Sequence, residues 1–240
     1  MPLGRSKEFA VRCLHAGMVL LILNVGRAAA QTPRSGDAPC GADSKIVFAR
    51  IAMARFCVLA RDSAVRRATG AQDELTLMRS VQPDALWRIP DADLTAFFAA
   101  FGESLRFVGA RTCAGMFPHS TDPPWTEAFM SIATAVDSAM AVRWTSFIEA
   151  WVWAKVRNTP RQREASTAEV YAYARRQLAS VSSADRADMV RMAHGESLPI
   201  DRACRAVRLS FSRLGAGNPK DAGPVIRALM SGLVPWFAAA

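Results

Sequence analysis

Two short stretches hold the residue types best suited to chemistry. Gly102-Glu103-Ser104-Leu105 recurs as Gly195-Glu196-Ser197-Leu198, and a cysteine follows each copy, at Cys113 and Cys204. A Gly-x-Ser turn can present a nucleophilic serine, and a glutamate in an apolar pocket can serve as a general acid. The serine chemistry needs G-x-S-x-G, so that strand and helix pass closely at the second glycine. Arg106 fills that position in one copy and Pro199 in the other, and no buried-strand pattern precedes either. A serine nucleophile also needs a base. Beyond residue 30 the histidines are His119 and His194, and His194 lies almost beside Ser197 rather than far downstream.

The glutamates leave another chemistry open. Glu103-Ser104 and Glu196-Ser197 resemble the Glu-Ser dipeptide of lysozyme-like lytic transglycosylases, which are helical, exported and act on peptidoglycan. The resemblance implies a carboxyl of raised pKa that protonates a glycosidic oxygen, with Glu103 or Glu196 in that role. It covers two residues, and the Gly-Leu-Met-Gln stretch usual in that family follows neither copy. A plainer reading assigns both copies to helix ends. Gly102 interrupts a helix that Leu105 resumes, and Gly195 closes a helix before Pro199 opens the next.

Other constellations are sparse. The histidines form no H-x-x-H or H-E-x-x-H pattern, so no metal site is expected. Gly215 to Gly223, "GAGNPKDAG", lacks the G-x-x-x-x-G-K-[ST] order and a preceding strand. It reads as the clearest flexible loop, and no cofactor is expected. Lys155 to Arg163, "KVRNTPRQR", reads as a solvated basic loop. Trp87, Trp125, Trp144, Trp151, Trp153 and Trp236 are many for this length. Trp144 and Trp151 fall on one helical stripe and read as core. Trp153 is turned about 160° from Trp151 at 100° per residue, which makes it the best placed for a surface groove.

The N-terminus sets the expected compartment. Arg5, Lys7 and Arg12 precede an apolar run from Leu14 to Val25, and Ala28 to Ala30 offer small residues for cleavage. Residues 1–30 read as a signal peptide cut between Ala30 and Gln31. The run is shorter than the roughly 20 residues that span a bilayer, so no transmembrane span is expected in the mature chain. The full chain carries 30 Lys and Arg against 21 Asp and Glu, and the mature one 26 against 20, a net +6. That charge favours anionic envelope surfaces; no nucleic-acid partner is expected. The expected location is outside the cytoplasm, periplasmic or extracellular if the source is bacterial.

Four cysteines remain after cleavage, Cys40, Cys57, Cys113 and Cys204, an even number that suggests two disulfides in an exported protein. If a helix begins near Asp43, Cys57 stands about 21 Å along it, beyond the roughly 10 Å reach of the linker from Cys40. That disfavours Cys40–Cys57. Cys40–Cys113 with Cys57–Cys204 is preferred, and Cys40–Cys204 with Cys57–Cys113 is the alternative.

The elements that must position these residues read as helices throughout. Residues 31–42 form a turn-rich linker and 43–240 a single all-α domain of about seven or eight helices. Apolar spacing predicts helices over Asp43–Arg67, Gln72–Val81, Pro90–Cys113, Trp125–Val156, Ser166–Ser180, Ser183–Ala193 and Pro199–Leu214, with a last apolar segment from Val225 to Phe237. Trp125–Val156 is one long helix or two abutting ones, and it is the expected Trp-rich central helix. Asp91, Ser183 and Asp201 are expected caps. The chain therefore reads as an exported non-enzymatic helical protein acting through protein or envelope-polymer contacts. The alternatives are a peptidoglycan-active enzyme and a small-ligand carrier with an inter-helix pocket.

Overall fold

The computed structural model describes residues 45–80, 87–116, 123–193 and 196–231. Among them are eleven α-helices and no strand: α1 (Val47–Arg61), α2 (Ser63–Thr69), α3 (Glu74–Ser80), α4 (Asp91–Ser104), α5 (Ala110–Ala114), α6 (Trp125–Ala135), α7 (Ser138–Val156), α8 (Thr167–Leu178), α9 (Ser183–Ala193), α10 (Ile200–Gly215) and α11 (Pro219–Met230). The all-α class holds, but the helices are more numerous and shorter than expected. The reason lies in the caps.

Asp62 falls inside the single helix expected over Asp43–Arg67. Instead its carboxylate accepts the backbone N–H of Ala64 at 2.8 Å and of Val65 at 3.1 Å, which ends α1 and starts α2. Asp137 does the same between α6 and α7, accepting from the N–H of Met140 at 2.8 Å. A short acidic side chain satisfies the unpaired N–H groups of a new helix at least as well as it tolerates a helix interior. Ser182, not Ser183, accepts from the N–H of Asp185 at 3.1 Å at the start of α9. Asp91 and Asp201 lie within the first turns of α4 and α10 without capping them; Pro90 and Pro199 occupy the cap positions. The expected loop over Gly215–Gly223 shrinks to its first few residues. Asn218 accepts from Lys220 N–H at 3.0 Å, Pro219 opens α11, and Gly223 and Pro224 lie within that helix.

Helix α4 packs against α7, α10 and α11, so it stands between elements that touch one another less. Helices α4 and α10 run antiparallel. Gly102 packs against Phe211, where an added Cβ would come within 3.0 Å of the Phe211 Cβ, and Leu105 O accepts from Arg208 at 2.9 Å. Gly102 therefore serves close helix approach and does not interrupt α4, which continues to Ser104 and tightens into a 3-10 turn over Leu105–Phe107.

Just beyond this contact, Cys113 bonds Cys204, with Cα atoms 5.1 Å apart. Both pairings expected from sequence are corrected: neither Cys57–Cys204 nor Cys57–Cys113 forms. Cys57 is also disulfide-bonded, to a cysteine outside the described residues. The later start of this helix shortens the distance expected between Cys57 and Cys40. Helix α1 begins at Val47, so Cys57 is about 15 Å along it, while residues 41–46 reach roughly 20 Å.

On its other side α4 meets α7 through aromatic rings. Phe97 stacks on Phe147 with centroids 4.3 Å apart, and Phe101 lies 5.4 Å from Trp144. Phe48 from α1 and Phe129 from α6 also reach the Trp144 ring, at 5.4 and 5.7 Å. These rings lie at the usual separations of aromatic pairs, each pair contributing about 0.5–1.5 kcal/mol beyond area burial. Trp144 and Trp151 are buried as expected, and Trp87 is too. Trp153 is partly buried and its ring is covered by the Arg157 guanidinium at 5.2 Å.

Candidate functional site

The residues singled out for chemistry do not converge. Glu103 pairs with Arg143 of α7 through both carboxylate oxygens, the second at 3.0 Å. The Arg143 hydrogen bonds hold the Glu103 carboxyl below the usual range, opposite to the shift a general acid requires. Its side chain is half-exposed. Glu196 is also half-exposed and accepts from Arg191 at 2.7 Å. Ser104 is fully buried and its hydroxyl donates to Phe101 O within its own helix, which leaves it no approach to a substrate; Ser197 is exposed. His119, His194, Cys40, Ala30 and Gln31 lie outside the described residues.

The basic loop is less free than its composition suggests. Its backbone is tied at both edges: Gln162 N–H donates to Trp87 O at 2.8 Å, and Ala165 N–H donates to Pro224 O at 3.0 Å. Arg88 donates to Thr159 O at 2.8 Å. Glu164 accepts from the Trp87 indole and from Arg161, both at 2.7 Å. Burial pushes the Glu164 carboxyl up, but hydrogen bonds from Arg161, Trp87 and Ser231 together hold it below its ordinary value.

Arg227 fastens this loop to the first turn of α4. It is 1 % exposed, and its guanidinium donates to the Asp91 carboxylate at 2.5 Å, to Ile89 O at 2.5 Å and to Arg163 O at 3.3 Å. Burying a guanidinium is tolerated only with such partners. Asp91 itself stands where a Cβ on Gly223 would collide with its carboxylate, so the α11 backbone sits directly against the Asp91 side chain there.

Beside this anchor a cavity of about 230 Å³ opens between the loop, α8 and α11. Arg163, Glu169, Arg176 and Asp221 supply its charges, Tyr173 its phenol, and Ala165, Ala172 and Val225 its apolar lining. The charges differ in how fully they are committed. Glu169 is saturated: it accepts from Ser166 N–H at 2.7 Å, from the Ser166 hydroxyl at 2.9 Å and from Arg163 at 2.6 Å. Those bonds, the backbone one foremost, pull its carboxyl down to about 2. Arg176 and Asp221 face each other at 4.0 Å, too far for a hydrogen bond, with both side chains about 60 % exposed. Tyr173 is buried, with its hydroxyl 3.4 Å from Arg213 O, and lies so close to Gly217 that a Cβ there would overlap it. Burial first, and the Asp221 charge second, push its phenol up to about 12, so it remains a protonated donor at neutral pH.

None of these cavity residues stood out in the sequence. Glu169, Tyr173 and Arg176 recur at i, i+4 and i+7 of one helix, a signal that exists but fits any solvated face. Asp221 sat in a stretch read as a loop, and Arg163 in one read as solvated. Among the described residues no group of three or more His, Cys, Asp or Glu could hold a metal ion, and no helix is long and apolar enough to cross a membrane. What the fold and cavity define is a disulfide-bonded, all-α protein with a small charge-lined cleft between helices. Comparison with known protein families, with curated proteins and with solved structures finds no match.

Proposed function

We propose that this chain is an exported helical binding protein that takes a small polar ligand between α8 and α11. The observation that carries the reading is the cavity, in which an arginine and an aspartate face each other without a hydrogen bond while the phenol beside them stays protonated. Small-molecule sites typically join an apolar floor to a few placed polar groups. Export is supported by the Cys113–Cys204 bridge, since such bonds persist in oxidising compartments. On this reading residues 1–30 are removed between Ala30 and Gln31, and Cys40 is the partner left for Cys57. The chain would then reside in the periplasm or outside the cell of a bacterium. Helix α7, with Trp144, Trp151 and Trp153, serves as a structural spine in this reading.

The peptidoglycan-active reading gains no support from Glu103 or Glu196, whose carboxylates meet arginines instead of an apolar pocket. Among the described residues, the exposed large apolar side chains Val58, Val142 and Ile200 come from three separate helices, which lends no concentrated face to action through protein or envelope contacts.

The test uses protein exported from its full-length gene and purified without denaturation. The mature N-terminus is expected at Gln31, with all four cysteines unreactive to thiol reagents. Native mass spectrometry is expected to find a small molecule released on unfolding and lost in the Ala172→Trp variant, which fills the cavity. An intact leader with reactive thiols would end the export reading. Equal ligand content in wild type and Ala172→Trp would end the cavity reading.

A further inference from the structure

We propose that the ligand of this cleft is a small zwitterion of the α-amino acid class, bound by its carboxylate to Arg176 and Arg163 and by its ammonium to Asp221. The inference rests on the reading of the cavity as a ligand site and goes on to what the site would select.

The charge balance of the lining carries it. Two arginines face two carboxylates, Glu169 and Asp221, so the cleft offers no net charge to a bare anion or a bare cation. An anion alone would meet Asp221 as well as Arg176, and a like charge brought that close is repelled. A molecule carrying both signs meets both residues favourably. The commitments of the four groups select which pair it meets. Glu169 is fully used by Ser166 and Arg163, so it holds Arg163 in place and is not itself available. Arg163 spends one nitrogen on Glu169, which leaves its remaining guanidinium donors for a ligand. Arg176 and Asp221 stand 4.0 Å apart across the gap between α8 and α11. A carboxylate matches the planar fork of a guanidinium, and an ammonium carries three donors suited to a carboxylate.

Size and lining narrow the class. At about 230 Å³ the cavity is below the range of roughly 300–1,000 Å³ typical for drug-sized ligands. Ala165, Ala172 and Val225 leave room for a short apolar side chain and offer it nothing to hydrogen-bond. The site is also mechanically fixed. Arg227, buried beneath it, bonds the backbone of Arg163 and the Asp91 carboxylate, so the loop carrying Arg163 is tied to α4 before any ligand arrives. A wall held in place in the free protein loses less freedom on binding.

The experiment is isothermal titration calorimetry of the mature, disulfide-intact protein, freed of co-purified small molecules by dialysis. The probes are L-alanine, L-lactate, ethylamine and inorganic phosphate. Lactate replaces the ammonium with a hydroxyl, and ethylamine lacks the carboxylate. The expected result is saturable binding of L-alanine, at least tenfold weaker binding of lactate and of ethylamine, and at least tenfold weaker alanine binding in Asp221→Asn. The ligand comparison needs no variant, so it decides the matter even if Asp221→Asn fails to fold. Lactate or phosphate binding as tightly as alanine, with the Ala172→Trp variant abolishing it, would overturn the zwitterion inference and leave the cavity reading standing. Failure of all four probes would overturn the zwitterion inference, while the ligand content of the Ala172→Trp variant still decides the cavity reading on its own.

Discussion

The two ends of α4 are held by different physics. Near its C-terminal half, Phe97 and Phe101 meet Phe147, Trp144, Phe129 and Phe211 in an aromatic cluster. At its first turn, Asp91 meets the buried Arg227 of α11, which also grips the backbone at Ile89 and Arg163. The aromatic end gains from area and from shape, and it tolerates little loss of volume. The ionic end gains little net stability, because desolvation offsets most of the charge attraction, but it fixes one arrangement of three segments. The candidate cleft lies at the ionic end. Position there is set by hydrogen bonds of defined direction, whereas aromatic packing fixes volume more than orientation.

The largest effect should come from emptying the aromatic end. Trp144→Ala removes a ring that touches four others, and it should cost about 3–5 kcal/mol in urea unfolding. A cost below about 1 kcal/mol would show that the cluster collapses freely and would erase the contrast. The next effect should come from Arg227→Leu, which leaves the Asp91 carboxylate without its buried partner. The expected loss is about 3 kcal/mol, the lower end for breaking such a pair, because Asp91 remains 27 % exposed and can be rehydrated. Adding Asp91→Asn should restore part of it. A double variant no better than Arg227→Leu would show that the backbone bonds to Ile89 and Arg163, not the ion pair, hold this end.

The smallest effect is a pH dependence confined to the cleft. The Glu169 carboxyl sits at about 2 in the folded chain against an ordinary 4.5, so it is depressed by folding. Its contribution is fully present above pH 4.5 and is lost as pH falls from there toward 2. Glu169→Gln should flatten the fall of the thermal midpoint across that window, and Trp144→Ala should leave the slope as it is. An unchanged slope in Glu169→Gln would mean that its ties to Ser166 and Arg163 add nothing in solution.

Much of the scaffold was legible in the residues. The absence of alternating stretches implied helices, and the spacing of Trp144 and Trp151 marked a face that is buried. The breaks were less legible. Asp62 and Asp137 look like ordinary polar residues within helical runs, and only the path of the chain shows that each ends one helix and caps another. Asn218 followed by Pro219 does carry a helix-start signal, but the glycines around it read as a loop. The cleft was the least legible part. Arg163, Tyr173, Arg176 and Asp221 come from three segments, and each is unremarkable on its own surface.

By itself the sequence determined which residues must leave water and, with them, the helical class, because apolar periodicity is a property of the chain before it folds. It also supplied five cysteines, four of them beyond residue 30. Only the tertiary structure decided that Cys113 bonds Cys204, since pairing depends on which helices pass within reach, and here the antiparallel run of α4 and α10 brings those two together. It alone decided that Glu103 and Glu196 meet arginines, and that two arginines, a phenol and an aspartate share one cleft. Charges far apart in the chain acquire a common field only when packing brings them to within a few ångströms, and no local pattern records that distance.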